Sequence, residues 1–323
     1  MKRRDFVATT LAASALVSFR SARASTYPVK PIRLVVPFAP GGSVDATARP
    51  LAEALTRELG QAVVVDNKGG AGGALGTMEV VRAAPDGYTL VMVSPSITAS
   101  NPAINPTIPY HPVNDLTAIV NVVAAPTMLA VRPDFPAKNY ADFIAELKRH
   151  PDRYTYASSG VGGILHLQME LFKSLTGVSM RHVPFRGAGP AVAAVLGGQV
   201  DVAYDSLPSM PFLKDGRLHP IVVCAPQRIK EYPQVPTFKE VGVERLNVMP
   251  HFGIMGPKDL PPAIVQRINV ATRKVLEEPV VRKRYEDLGS VIIASTPEAF
   301  AAEIKGLYEQ LKQVVVERKL TTE

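Results

Sequence analysis

Two glycine-rich segments carry the chemistry that this sequence could perform. Pro37-Phe38-Ala39-Pro40-Gly41-Gly42-Ser43-Val44-Asp45 follows an apolar run and opens a helical pattern. Glycines let backbone N–H groups approach a ligand, and a helix start offers unpaired donors with a partial positive charge. Such a segment binds an anion without Lys or Arg. It also reads as a plain tight turn at Gly41-Gly42, with Ser43 or Asp45 capping the helix. The second segment is Ser158-Ser159-Gly160-Val161-Gly162-Gly163-Ile164-Leu165-His166. Its hydroxyls, glycines and helix start form another anion pocket. His166 falls in the first helical turn and is expected to face the pocket. The positive helix end disfavours imidazolium, so a neutral hydrogen-bonding role is expected. Asp205, directly after the apolar run Val200–Tyr204, completes the candidate ligand-binding set.

Other chemistries fit less well. In Gly70-Ala71-Gly72-Gly73-Ala74-Leu75-Gly76 the last glycine is one residue late for a dinucleotide fingerprint, and no acid lies near 20 residues on. That stretch reads as a turn and helix start. No Gly-x-Ser-x-Gly elbow occurs. His166, His182 and His251 lack the spacing of a metal pair on one helix, so neither metal nor cofactor is expected. An enzyme alternative is a hydrolase using Ser159 and His166, but no acid is placed to orient the imidazole.

The elements around these segments alternate. Ile32–Pro37, Val63–Asp66 and Tyr88–Val93 are branched apolar runs that suit strands of a parallel sheet. Helical patterns between them end at Gly60 and at Pro85-Asp86-Gly87. A second such unit starts near Met128–Val131. It continues with a helix at Tyr140–Arg149, a strand at Arg153–Ala157, a helix to about Thr176, a helix at Pro190–Gly197, and strands at Val200–Tyr204 and His219–Cys224. Beyond Pro261 the chain reads as helices Ala263–Glu277, Val280–Leu288 and Pro297–Arg318, with Val291–Ile293 as a short strand. Strand–helix alternation over about 300 residues argues two α/β domains. No linker separates them, so the chain is expected to cross between domains more than once, leaving a cleft with a hinge.

The N-terminus reads as an export signal over 1–24. Lys2-Arg3-Arg4 precede an apolar run, Val7–Val17, and Ala22-Arg23-Ala24 offers small residues for cleavage after Ala24. Arg3-Arg4-Asp5-Phe6 partly matches a twin-arginine signal, so both that route and ordinary secretion stay open. Cys224 is the only cysteine, which excludes an intrachain disulfide. The formal charge is +7, but five basic residues and Asp5 lie in the signal, leaving +3. The remaining charges are scattered, so nucleic acid is not an expected partner.

In this order, the motifs resemble the Bug family of substrate-binding proteins, the TctC-like receptors of tripartite tricarboxylate transporters. The carriers include Tyr27-Pro28, Pro31–Phe38, Gly41-Gly42, Asp45, Ala48-Arg49, Val63–Asn67, Gly70–Gly73 and Pro85–Leu90. Ser158–Gly162 with His166-Leu167, His182–Pro184, Arg186-Gly187, Gly197–Asp201 and Pro236-Thr237 follow. Gly163 stands where the family commonly has Thr or Ser, and His251 where many members have Trp. The resemblance implies a Venus-flytrap, two-domain periplasmic-binding-protein fold in the α/β class, with two crossing strands and a cleft. It implies domain 1 over 25–126 and 251–323, and domain 2 over 127–250. It implies a soluble, monomeric periplasmic protein that is not an enzyme. The expected ligand is a small carboxylate: an amino acid, a di- or tricarboxylate, or an aromatic acid. The expected partners are transporter subunits or, alternatively, a sensor kinase.

Overall fold

The computed structural model describes residues 27–205, 209–247, 249–318 and 320–321. The expected signal segment 1–24 and its cleavage site lie outside these residues. The strands form two sheets. The first has β1 (Ile32–Val36), β2 (Val63–Asn67), β3 (Thr89–Val93), β4 (Leu116–Ala124), β10 (His251–Pro257) and β11 (Val291–Ile292), in the order β11-β4-β10-β3-β1-β2. The second has β5 (Thr127–Val131), β6 (Thr155–Ser158), β7 (Arg181–Pro184), β8 (Val202–Asp205) and β9 (His219–Cys224), in the order β7-β6-β8-β5-β9.

Helices α1 (Ser43–Leu59), α2 (Ala74–Val81), α8 (Pro262–Leu276), α9 (Pro279–Asp287) and α10 (Pro297–Arg318) accompany the first sheet. Helices α4 (Tyr140–Arg149), α5 (Ile164–Thr176), α6 (Ala188–Leu196) and the short α7 (Met210–Lys214) belong to the second half. After β3, a wide turn over Ser96–Ser100 runs into the short helix α3 (Asn101–Ile104).

The elements form where burial and punctuation agree. α1 buries Val44, Ala48, Leu51, Ala52, Leu55 and Leu59 at helical spacing, and Gly60 stops it in the left-handed region at φ 68°. α5 buries Ile164, Leu165, Leu167, Met169, Leu171 and Phe172 and stops the same way at Gly177, φ 69°. The sheets are mixed rather than purely parallel. β10 runs antiparallel to both β3 and β4, and β5 runs antiparallel to both β8 and β9. These reversals follow from the chain crossing and returning.

The crossings are short and joined. β4 ends at Ala124 and β5 begins at Thr127. The return segment reaches β10 at His251, and Ala125 N–H donates to the Pro250 carbonyl at 3.0 Å. β4 pairs with β10 on one side of the crossing, and β5 pairs with β9 on the other. Three further strands were absent from the sequence pattern: β4, β7 and β10. The C-terminal helix also differs from its expected membership of one half only. Phe300 and Ile304 of α10 join the core of the first sheet, whereas Leu311 packs against the core of the second, with Leu320 beyond it.

Candidate functional site

The Gly41-Gly42 loop is held from beneath. The Asp45 carboxylate accepts Gly41 N–H at 3.0 Å, Arg49 Nε at 2.9 Å and Asn67 Nδ2 at 3.0 Å. Asn67 Nδ2 also donates to the Phe38 carbonyl at 3.1 Å. Burial pushes the Asp45 pKa up, but its hydrogen bonds to Arg49, Gly41 and Asn67 outweigh this and leave it lowered. Asp45 is therefore an ionised anchor for the loop. It was expected among the ligand contacts; here it supports the loop and lines neither chamber described below. No side chain caps α1: its N-cap is Gly42, with neither Ser43 nor Asp45 in the capping role weighed from sequence.

The Ser158–Gly163 loop is also self-supporting. Ser158 Oγ lies 2.6 Å from His182 Nε2 and accepts Gly160 N–H at 3.2 Å. His166 Nδ1 accepts Gly162 N–H at 3.2 Å. The His166 ring stacks on His182 at 4.2 Å between centroids, and His182 stacks on Tyr156 at 4.9 Å. Burial holds both imidazoles low, His182 down to about 4, so both are neutral near pH 7. The neutral state matches expectation, but the position does not. His166 is 8% exposed, sits inside a ring stack and lines neither chamber. Because its Nδ1 accepts a backbone proton, the ring proton is on Nε2. That nitrogen arrangement offers no lone pair to activate Ser159, which argues against the hydrolase alternative.

His166→Ala is therefore expected to lower stability by about 1–3 kcal/mol, because Gly162 N–H loses its acceptor and the stack loses a ring. Affinity per folded molecule should hold. Urea unfolding alongside calorimetry checks this; unchanged stability with weakened binding would restore His166 to the ligand.

The two halves close on each other along glycine backbone. A Cβ placed on Gly187 would lie 3.5 Å from Ala39 N, and one on Gly189 3.1 Å from the Gly41 carbonyl carbon. Ala39, Pro40 and Gly41 thus form the seam with the start of α6. A second seam joins Gly72 to the 160–162 segment, where a Gly72 Cβ would lie 3.2 Å from the Val161 carbonyl oxygen. Ser96 Oγ, from the first half, accepts Ile164 N–H at 2.9 Å at the start of α5.

Between these seams lies an inner chamber of about 40 Å³. Its walls include Phe38, Gly42, Ser43, Val44, Ser94, Ser96, Thr127, Ser159, Ala188 and Phe252. Among the described residues, no charged side chain lines it. The starts of α1, α5 and α6 all reach it, through Ser43, Ile164 and Ala188. Helix starts and hydroxyls can hold a carboxylate there without a countercharge.

An outer chamber of about 550 Å³ adjoins it. Phe38 and Ser159 line both. Gly160 lines the outer one only, while Gly162 and Gly163 support the loop and line neither. Asp205 lies behind Ser159 in a space of about 10 Å³, with Ser209 Oγ donating to its carboxylate at 3.1 Å.

Sequence reasoning missed Ser94, Ser96, Thr127, Phe252 and the start of α6. A signal existed for the serines: Ser94-Pro95-Ser96 puts hydroxyls directly after an apolar strand. It also took Gly70–Gly73 as a plain turn. The turn is there, with Gly70, Gly72 and Gly73 all at positive φ, but it walls the outer chamber.

One further array has the order of a catalytic relay. Thr98 Oγ1 lies 2.9 Å from His251 Nε2, and His251 Nδ1 lies 2.9 Å from Glu303. Burial raises the Glu303 pKa, but the His251 and Asn121 hydrogen bonds leave it lowered. Thr98 is wholly buried, so no substrate can reach its hydroxyl. The array instead ties the turn after β3 to β10 and α10. Among the described residues, no group of His, Cys, Asp and Glu is arranged to hold a metal ion, and no helix is long and apolar enough to cross a membrane.

Two α/β lobes, joined by paired crossings and shut on a hydroxyl-lined chamber, define a solute-binding protein of the periplasmic type. The chain belongs to the tripartite tricarboxylate transporter family receptors (TctC), whose family model matches residues 47–320. It is similar to the solved structure of the periplasmic binding protein BugD, at 31% identity and TM-score 0.87, covering 91% of this chain and 99% of that one. It is also similar to MatC (Rpa3494) of Rhodopseudomonas palustris with bound malate, at 32% identity and TM-score 0.86, covering 90% and 100%. R. palustris Rpa4515 with adipate matches at 29% identity and TM-score 0.85, covering 90% and 97%.

Proposed function

We propose that this protein captures a small carboxylate in the closed cleft and delivers it to a membrane transporter of the tripartite tricarboxylate type. The observation that carries the reading is the inner chamber: hydroxyl side chains and three helix starts, with no charged side chain among the described lining residues. Such a site neutralises an anion with dipoles. The malate and adipate bound by two structural relatives support the same ligand class. In this reading Phe38, Gly42, Ser43, Val44, Ser159 and Gly160 contact ligand, and Ser94, Ser96, Thr127 and Phe252 join them. The two lobes are taken as 25–126 with 251–323 and as 127–250, with the end of α10 bracing the second.

The test is a thermal-shift screen of the processed protein against a carboxylate panel. A ligand at about 100 times its Kd adds about 2.7 kcal/mol, which raises Tm by about 4 °C for a chain of this length. A nucleotide or divalent cation that shifts Tm while every carboxylate fails would overturn the reading.

A further inference from the structure

The outer chamber differs from the inner one in a way that bears on which carboxylate is taken. Its walls mix glycine backbone and the amides of Asn101 and Asn105 with large apolar side chains. Phe38 and Leu75 come from the first lobe, and Val161 and Phe185 from the second. Leu75 is 61% exposed and Val161 40% exposed, so two of the large exposed apolar side chains lie on opposite lobes of one chamber. Apolar surface left open on both sides of a cleft is covered when something apolar enters it.

Arg186 is the only charged side chain lining this chamber among the described residues. It is exposed, and no described residue pairs with it by hydrogen bond or salt bridge. It stands two residues before α6, whose start reaches the inner chamber through Ala188. A ligand seated in the inner chamber and passing between Phe38 and Ser159 would run along the apolar side chains toward this guanidinium.

We infer that Arg186 reads a second anionic group at the far end of the ligand, so that the protein selects extended α,ω-dicarboxylates over monocarboxylates of equal length. This rests on the carboxylate reading above. The inner chamber has room for one carboxylate group or a few waters. The remainder of any longer ligand must lie in the outer chamber, where a free carboxylate meets Arg186 and a methyl end does not. Because the guanidinium is exposed, the preference is modest, about fivefold.

The experiment is calorimetry with a ladder of straight-chain diacids, succinate to suberate, each beside the monocarboxylate of equal chain length. Wild type is expected to favour the diacid by about fivefold at the best length. Arg186→Gln should bring the diacid down to the level of the monocarboxylate, and Arg186→Lys should keep part of the preference, since the positive charge remains. A thermal scan of both variants checks that they fold. Equal losses for diacid and monoacid, or no change in either, would overturn the role of Arg186 while leaving carboxylate capture standing. Failure of wild type to bind either series would overturn this inference alone, since the carboxylate panel decides separately whether the cleft takes another carboxylate.

Discussion

Gly42→Val abolishes detectable ligand binding, while Gly42→Ala is nearly silent. The cause is steric rather than conformational. Gly42 sits at φ −82° and ψ 172°, an ordinary extended geometry open to any residue. A single Cβ there would lie 3.6 Å from Ala188 N and 3.7 Å from the Ala39 carbonyl oxygen, normal contact distances. The two γ carbons of valine extend further, into the seam between the starts of α1 and α6. They would prop the lobes apart and cover donors that face the ligand. Gly189→Ala approaches from the other side. Its Cβ would lie 3.1 and 3.2 Å from the Gly41 carbonyl atoms, and backbone cannot rotate away as a side chain can. We expect affinity to fall by about tenfold. Stability should hold or rise slightly, because alanine is the better helix former at that position in α6. Calorimetry and urea unfolding together separate these effects. Unchanged affinity in Gly42→Val would mean that ligand is held without this seam closing.

Gly253→Ala should damage the fold itself. Gly253 lies in β10, between β3 and β4, where Cβ has no space. It would sit 2.4 Å from Phe300 Cζ and 2.5 Å from the Val120 carbonyl oxygen. Phe300 is fully buried, and Val120 O is backbone of the adjacent strand. Overpacking of a filled core usually costs about 1–3 kcal/mol, and two simultaneous clashes put this change near the upper end. The urea midpoint should drop accordingly. Adding Phe300→Leu should recover only part of the loss, since the clash with Val120 O remains. A single substitution that costs under about 0.5 kcal/mol would mean the core around α10 is looser than its burial indicates.

Gly253 also explains part of what the sequence concealed. The segment His251–Pro257 has two glycines and a terminal proline, which weaken any strand pattern. Its place in the sheet is set by tertiary fit, because only glycine admits Phe300 so close. β7, Arg181–Pro184, is largely exposed or half-buried and shows no apolar run. By contrast α4, β9 and α10 were legible to the residue, since amphipathic spacing and turn residues agree there. The candidate site divides along the same line. Both glycine loops were visible because local backbone needs dictate them. His166 misled, since a first-turn position fixes neither where the ring points nor what it meets. Its partner His182 comes from a neighbouring strand, and that pairing leaves no mark in either local sequence. The walls contributed by Ser94, Thr127 and Phe252 come together only when two crossings bring the lobes face to face.

The uncharged lining of the inner chamber has a consequence for how this protein meets its surroundings. Attraction between exposed ions fades as salt accumulates, because mobile counterions shorten its reach to about 10 Å at 0.1 M. Helix starts and hydroxyls between the two lobes act at hydrogen-bond distance, where intervening counterions screen them far less. Grip on the first carboxylate should therefore barely change between dilute and brackish media. Only the increment from Arg186, out in solvent, should shrink. Ionic strength then tunes which ligand is preferred without loosening the hold on ligands as a class.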